Sequence, residues 1–150
     1  MANNNWTVDN IPDLTGKVVI ITGANSGLGL ESTKAIAGKG ATVVMACRSM
    51  TKAQEAMADV KRMHANANVE VMSLDNASLA SVKSFADAFK GKYHRLDLLL
   101  NNAGIMGIPR SETADGFEMQ IGTNHLAHFA LTGHLIALLT STPGARIHNV

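Results

Sequence analysis

"KVVIITGANSGLG" (residues 17–29) runs a stretch of β-formers straight into a glycine-rich turn, and a helical pattern follows it. Strand, tight turn, helix is the context that a phosphate-binding turn requires. In that reading Gly23 permits a backbone conformation closed to other residues. Gly27 keeps a side chain out of the path of a pyrophosphate, and Gly29 lets the helix pack close to the sheet. The amides and dipole at the helix N-terminus then face the anion. The alternative is a plain structural turn. A P-loop is disfavoured because no Gly-Lys-Ser/Thr follows.

Outward from this turn, two kinds of segment alternate. Further short apolar runs stand at "ATVVMAC" (41–47), "VEVMSLD" (69–75), "LDLLLNN" (96–102) and "RIHNV" (146–150). Between them the spacing is helical. Leu28, Ser32, Ala35 and Ile36 can share one face of a helix ending at Gly38 and Gly40. A second helix is expected from about Thr51 to His64, with Thr51 and Gln54 as a capping box. A third places Leu79, Val82, Phe85, Ala86 and Phe89 on one face and stops near Gly91. A fourth is long, from Phe117 to about Thr140, with Pro143-Gly144 as its stop. Met45, Met57, Met63 and Met72 read as core filler. Apolar strands alternating with helices indicate a parallel sheet covered on both faces, a doubly wound α/β layer within a single domain spanning 1–150.

Composition narrows the function. The chain of 150 residues is 46% hydrophobic and 17% charged with a formal net charge of +1, without the clustered basic excess of a nucleic-acid binder. One cysteine, Cys47, leaves no internal disulfide to form and fits a reducing compartment. "MANNNWTVDN" has neither the basic segment nor the apolar run of a secretory signal. A soluble, cytoplasmic protein is expected, with no membrane span.

The spacing Gly-x-x-x-Gly-x-Gly in "TGANSGLG" (22–29), together with "NNAG" (101–104) closing the fourth strand, resembles the short-chain dehydrogenase/reductase family. "LDNAS" (74–78) and "TNHLAHF" (123–129) add to the likeness, and "ACRS" and "IGTNHLAHFALT" are most similar to its retinol dehydrogenase-like branch. The resemblance implies a Rossmann-like sheet of strand order 3-2-1-4-5 and hydride transfer between a nicotinamide dinucleotide and a carbonyl or alcohol carbon.

It also implies roles for particular residues. Thr22, Gly23, Asn25, Ser26, Gly27, Leu28 and Gly29 would hold the pyrophosphate and adjoining ribose. Asp75 would bond the adenine amino group beside the backbone of Asn76, although Asp75 can also cap the following helix. Asn76 stands where the family usually has an apolar residue. Asn102, Ala103 and Gly104 would pass under the adenosine ribose, while Asn101 ties neighbouring strands. Asn124 would be the catalytic asparagine, anchoring a water in a proton relay; the alternative is an amide that satisfies local backbone groups. At the second strand's end no acid appears between Ala41 and Lys52, and Arg48 stands where a guanidinium pairs with a 2′-phosphate, so NADP(H) is favoured over NAD(H). The bland reading of Arg48 is a surface arginine at a strand end. His125 and His128 invite a metal, but no cysteine or carboxylate nearby completes a ligand set; no metal site is expected, and both read as packed or interfacial. The resemblance also implies a homo-oligomer paired through the long fourth helix and the helix after it, of which residues 1–150 hold only the former, so the oligomeric state stays open.

The family's proton donor is a tyrosine with a lysine four residues on, preceded by a serine just after a strand like "RIHNV". The chain's one tyrosine is Tyr93, four residues before Asp97. Residues 1–150 are therefore expected to be the cofactor-binding N-terminal part of such an oxidoreductase, interrupted at the fifth strand and inactive alone. Other readings are a non-catalytic NADP(H)-binding module or a nonfunctional truncated product. His148 breaks an apolar pattern without an evident reason.

Overall fold

Five parallel strands form one sheet in the computed structural model, which describes residues 6–150. In chain order the elements are β1 (Val18–Thr22), α1 (Gly27–Ala37), β2 (Thr42–Cys47), α2 (Met50–Met63), β3 (Asn68–Ser73), α3 (Leu79–Lys92), β4 (Leu98–Asn101), α4 (Met119–Ile121), α5 (Ala127–Ser141) and β5 (Arg146–Asn149). The strand order is β3-β2-β1-β4-β5, as expected. β1 lies centrally, with Ile20 opposite Val44 on one side and Leu99 on the other. All five residues of β1 are buried, as a strand covered on both faces requires.

Two cores flank the sheet. On one face Val19, Ile21, Val43 and Met45 pack under α1 and α2 through Ala37, Ala53, Ala56 and Val60. On the other, Ile20, Val44 and Leu99 meet Phe85 and Phe89 of α3 and Leu131 and Leu135 of α5. Met45 is core as expected, whereas Met63 is exposed.

Helix details depart from the sequence reading in informative places. α1 does not bury the face of Leu28 and Ser32; its buried positions are Gly29, Thr33 and Ala37. Small residues on that stripe let the helix axis approach the sheet, which turns Leu28 outward, 70% exposed. The cap of α2 is Ser49, not Thr51: its Oγ accepts the Lys52 N–H, so only Arg48 and Ser49 separate β2 from the helix. Phe117 lies before the fourth helix, in a turn where its N–H donates to Thr113 Oγ1 and its carbonyl accepts the Thr113 N–H. Glu118 caps α4 through the amides of Gln120 and Ile121. Between α4 and α5, residues Gly122–Leu126 are π-helical, making one continuous helix with a widened turn.

Asp97 anchors the end of the sheet opposite the glycine turn. It accepts hydrogen bonds from Val18 N–H, Arg95 and Lys17, while its own main chain joins β1 to the start of β5. Burial pushes its carboxyl up, but the hydrogen bonds from Arg95, Val18 N–H and Lys17 outweigh that and hold it down at about 2. A folded value below the unfolded one means stabilisation that is full above about pH 4 and lost as pH falls from there toward 2. Lys17 and Arg95 are nearly half exposed, so solvent screens much of their contribution. Asp97→Asn is expected to lower unfolding free energy by about 2 kcal/mol at neutral pH. It should also flatten the acid dependence between pH 4 and 2, both measurable by urea unfolding.

Candidate functional site

A cleft of about 480 Å³ opens across the carboxyl ends of the strands. It lies at the place where the strand order reverses, between β1 and β4, which is where open α/β sheets bind ligands. Its walls are the glycine turn (Gly23, Asn25, Ser26, Leu28), the β2 end (Ala46, Cys47, Arg48) and the β3 end (Leu74, Asp75, Asn76, Ala77). Asn102, Ala103, Gly104 and Ile105 after β4, with Met119, Thr123 and Val150, complete it. Thr22, Gly27 and Gly29 do not line it. Thr22 and Gly29 are buried beneath the turn, while Gly27 is exposed at the start of α1.

Each glycine of the turn has its own physical reason. Gly23 has φ +65°, and a Cβ there would stand 3.0 Å from Ala103 Cα. Gly27 has φ +52°, and a Cβ there would meet nothing within 4 Å, so its backbone borders open space. At Gly29 a Cβ would overlap the Gly23 carbonyl oxygen and lie 2.6 Å from Asn102 Nδ2. The turn thus offers a bare backbone and the N-terminus of an 11-residue helix to the cleft, a cradle that suits a pyrophosphate.

Beneath the cleft, Thr22 is a hub. Its Oγ1 accepts the N–H groups of Asn102 and Ala103, both at 2.9 Å, and the Asn102 side chain returns a bond to the Thr22 carbonyl. With both lone pairs engaged, the hydroxyl proton points to His128 Nε2 at 2.9 Å. Asn76 Nδ2 donates to the same nitrogen at 2.9 Å and to the Thr123 carbonyl at 3.3 Å. His128 Nδ1 faces the Asn124 carbonyl at 2.9 Å. His128, read from sequence as packed or interfacial, is 6% exposed and joins four segments; sequence spacing carried no sign of that.

The remaining residues fall as follows. Asp75 Oδ1 accepts the Ala77 N–H, while the cap of α3 is Ser78, which bonds the Ser81 N–H. Asn101 Nδ2 donates to Asn149 Oδ1 at 2.9 Å, tying β4 to β5 as the resemblance implied. Asn124 stands in the π-helical turn beside a neighbouring cavity shared with His125, His128 and Asn149. Its side-chain amide bonds Ile105 at both ends: Oδ1 accepts the Ile105 N–H and Nδ2 donates to its carbonyl. The amide therefore braces the loop after β4, and its main-chain oxygen is the group turned to His128. Tyr93 sits at the other end of the sheet, donating to Glu70 Oε1; burial and that carboxylate push its hydroxyl up, away from general-base chemistry. Arg48 is exposed at the cleft mouth. His148 faces a groove beside Leu28, Ile36 and Leu100, on a strand exposed along its length.

Among the described residues, no helix is long and apolar enough to cross a membrane. The family model for short chain dehydrogenases matches residues 17–150. Mouse retinol dehydrogenase 11 is 46% identical over 137 residues, covering 91% of this chain and 43% of that protein. A solved structure from Mycobacterium paratuberculosis is 46% identical with a TM-score of 0.78, covering 89% of this chain and 46% of that one. A short chain dehydrogenase from Escherichia coli complexed with NADPH is 27% identical with a TM-score of 0.77, covering 90% of this chain and 58% of that one. The chain thus spans less than half the length of the mouse relative it matches. With its strand order, its glycine turn and a family match over nearly its whole length, the chain belongs to the short-chain dehydrogenase family, and its likeness there is to the retinol dehydrogenases.

Proposed function

We propose that residues 1–150 form the NADP(H)-holding part of an oxidoreductase that moves hydride between the nicotinamide and a carbonyl or alcohol carbon. The observation that carries this is the cleft itself, where a bare glycine turn, Asp75, Asn102 and Arg48 meet at the strand ends. When bound, the dinucleotide supplies or accepts the hydride. The chain's own residues bind and orient. The turn amides and the α1 N-terminus take the pyrophosphate, Asp75 and the Asn76 backbone take the adenine, and Asn102 to Gly104 support the ribose. Asn124 serves by fixing the Ile105 loop. No Tyr-x-x-x-Lys lies within these residues, so they are expected to bind without turning over.

Arg48 supports the preference for the 2′-phosphate, because no carboxylate lies between positions 41 and 52 to receive ribose hydroxyls instead. The mouth of the cleft is then selective by charge. Arg48→Ala is expected to weaken NADPH binding roughly 10- to 100-fold while leaving NADH within about threefold. Fluorescence titration with each cofactor reads this, and an equal loss for both would remove the assignment. Phe129 and Ile136, exposed on α5, support pairing of copies through that helix.

A further inference from the structure

We propose that His128 is a positioning residue for the cofactor cradle: a neutral imidazole, protonated on Nδ1, that sets the Thr22 hydroxyl and thereby the Asn102–Ala103 backbone. This rests on the cleft being the dinucleotide site. Three independent constraints assign the proton. The Asn124 carbonyl can only accept, so Nδ1 must donate to it. Thr22 Oγ1 already accepts two N–H groups, so it can only donate to Nε2. The Asn76 amide is oriented by the Thr123 carbonyl, which places its N–H groups, not its oxygen, toward Nε2.

The ring therefore reads the protein in one direction, donating on one nitrogen and accepting on the other. A second proton, on Nε2, would meet two donors. Thr22 would have to surrender one of its N–H bonds to turn a lone pair toward the ring, loosening Asn102 or Ala103 on the cleft wall. Asn76 would lose its bond to the ring. This also gives Asn76, polar where the family is usually apolar, a place in the network.

Burial, together with the charge of His125 one turn back, lowers the ring's proton affinity against the pull of the Asn124 carbonyl. Other titratable groups on the packed elements are Asp75 after β3, and Cys47 and Arg48 at the end of β2. None of them bonds the ring; Asp75 turns one carboxylate oxygen to Ala77, and Cys47 is buried. The network is therefore complete at neutral pH and broken in acid, below the ordinary range of histidine.

The test uses the 150-residue chain. Long-range nitrogen–proton NMR on the chain without cofactor should show His128 as the Nδ1–H tautomer, titrating below about 6.5, with the Asn102 and Ala103 amide shifts following that titration. NADPH titrations from pH 5 to 8 should weaken with the same midpoint. His128→Phe should bind at least tenfold more weakly at pH 7.5 and lose the pH dependence, and His128→Gln, which restores an acceptor, should recover part of the loss. An Nε2–H tautomer, a titration at or above about 6.5, or amide shifts indifferent to it would overturn the proposal. So would a His128→Phe variant with wild-type affinity and pH profile. If NADPH fails to bind wild type at any pH while the tautomer and linked shifts are as stated, the cofactor reading fails and the positioning claim with it; the hydrogen-bond network alone survives.

Discussion

Gly29→Ala is expected to disrupt the glycine turn outright, with NADPH binding reduced more than 100-fold and thermal stability lowered by roughly 10 °C. The added Cβ would overlap the Gly23 carbonyl oxygen and crowd Asn102 Nδ2, which itself bonds the Thr22 carbonyl. Those atoms belong to backbone or to a fixed amide, so neither side can rotate away. Overpacking of this kind costs about 3 kcal/mol, near the top of its usual range, and a chain of this size shifts by a few degrees for each kcal/mol. Gly27→Ala is the informative comparison. Its Cβ would meet nothing within 4 Å, so only the left-handed backbone, at φ +52°, is strained. The fold should lose about 1 kcal/mol, yet binding should fall as sharply, because the strained turn no longer aims the first α1 amides at the anion. Melting curves read beside cofactor titrations separate the two glycines.

Thr22→Val keeps the volume and removes the hydroxyl. It leaves the Asn102 and Ala103 amides without their acceptor and His128 Nε2 without one of its donors, in a spot with no exposed surface. Unsatisfied buried groups cost about 1 to 3 kcal/mol each. Because the chain relaxes and the groups share one site, a total of about 3 kcal/mol is expected, with roughly 100-fold weaker NADPH binding. Thr22→Ser retains the hydroxyl and should stay within about threefold of wild type. Chemical denaturation and cofactor titration on the pair check this, and a Val variant as stable and tight-binding as the Ser variant would remove Thr22 from its role as hub.

What could be read from sequence follows the range of the interactions involved. The sheet was legible because its strands are buried on both faces: "VVIIT" and "VVMAC" have no polar alternation to obscure them. The glycine turn was legible because its three glycines fall at a fixed spacing between a strand and a helix, although the backbone that closes on Gly23, at Ala103, lies far along the chain and left no local sign. Faces were harder. The spacing that put Leu28 inward counted hydrophobicity, whereas α1 is seated by Gly29, Thr33 and Ala37, where small size allows close approach. Thr51 offered a capping box, but Ser49 lay nearer the end of β2 and took the cap. The π-helical turn at Gly122–Leu126 left no mark in periodicity, since a single turn is too short to set a period of its own. Asn124 was singled out as the anchor of a water, while its bonds to Ile105 through the side chain and to His128 through the carbonyl depend on segments that the sequence did not bring together. The His128 network joins residues up to 106 positions apart, and no window along the chain contains it.

That these residues hold NADP(H) is tested most directly by isothermal titration of the folded 150-residue chain with NADPH and, separately, NADH. One site per chain is expected, with NADPH bound at least tenfold more tightly than NADH. A folded chain that gives no binding heat with either cofactor across several temperatures, or equal affinity for the two, would contradict it.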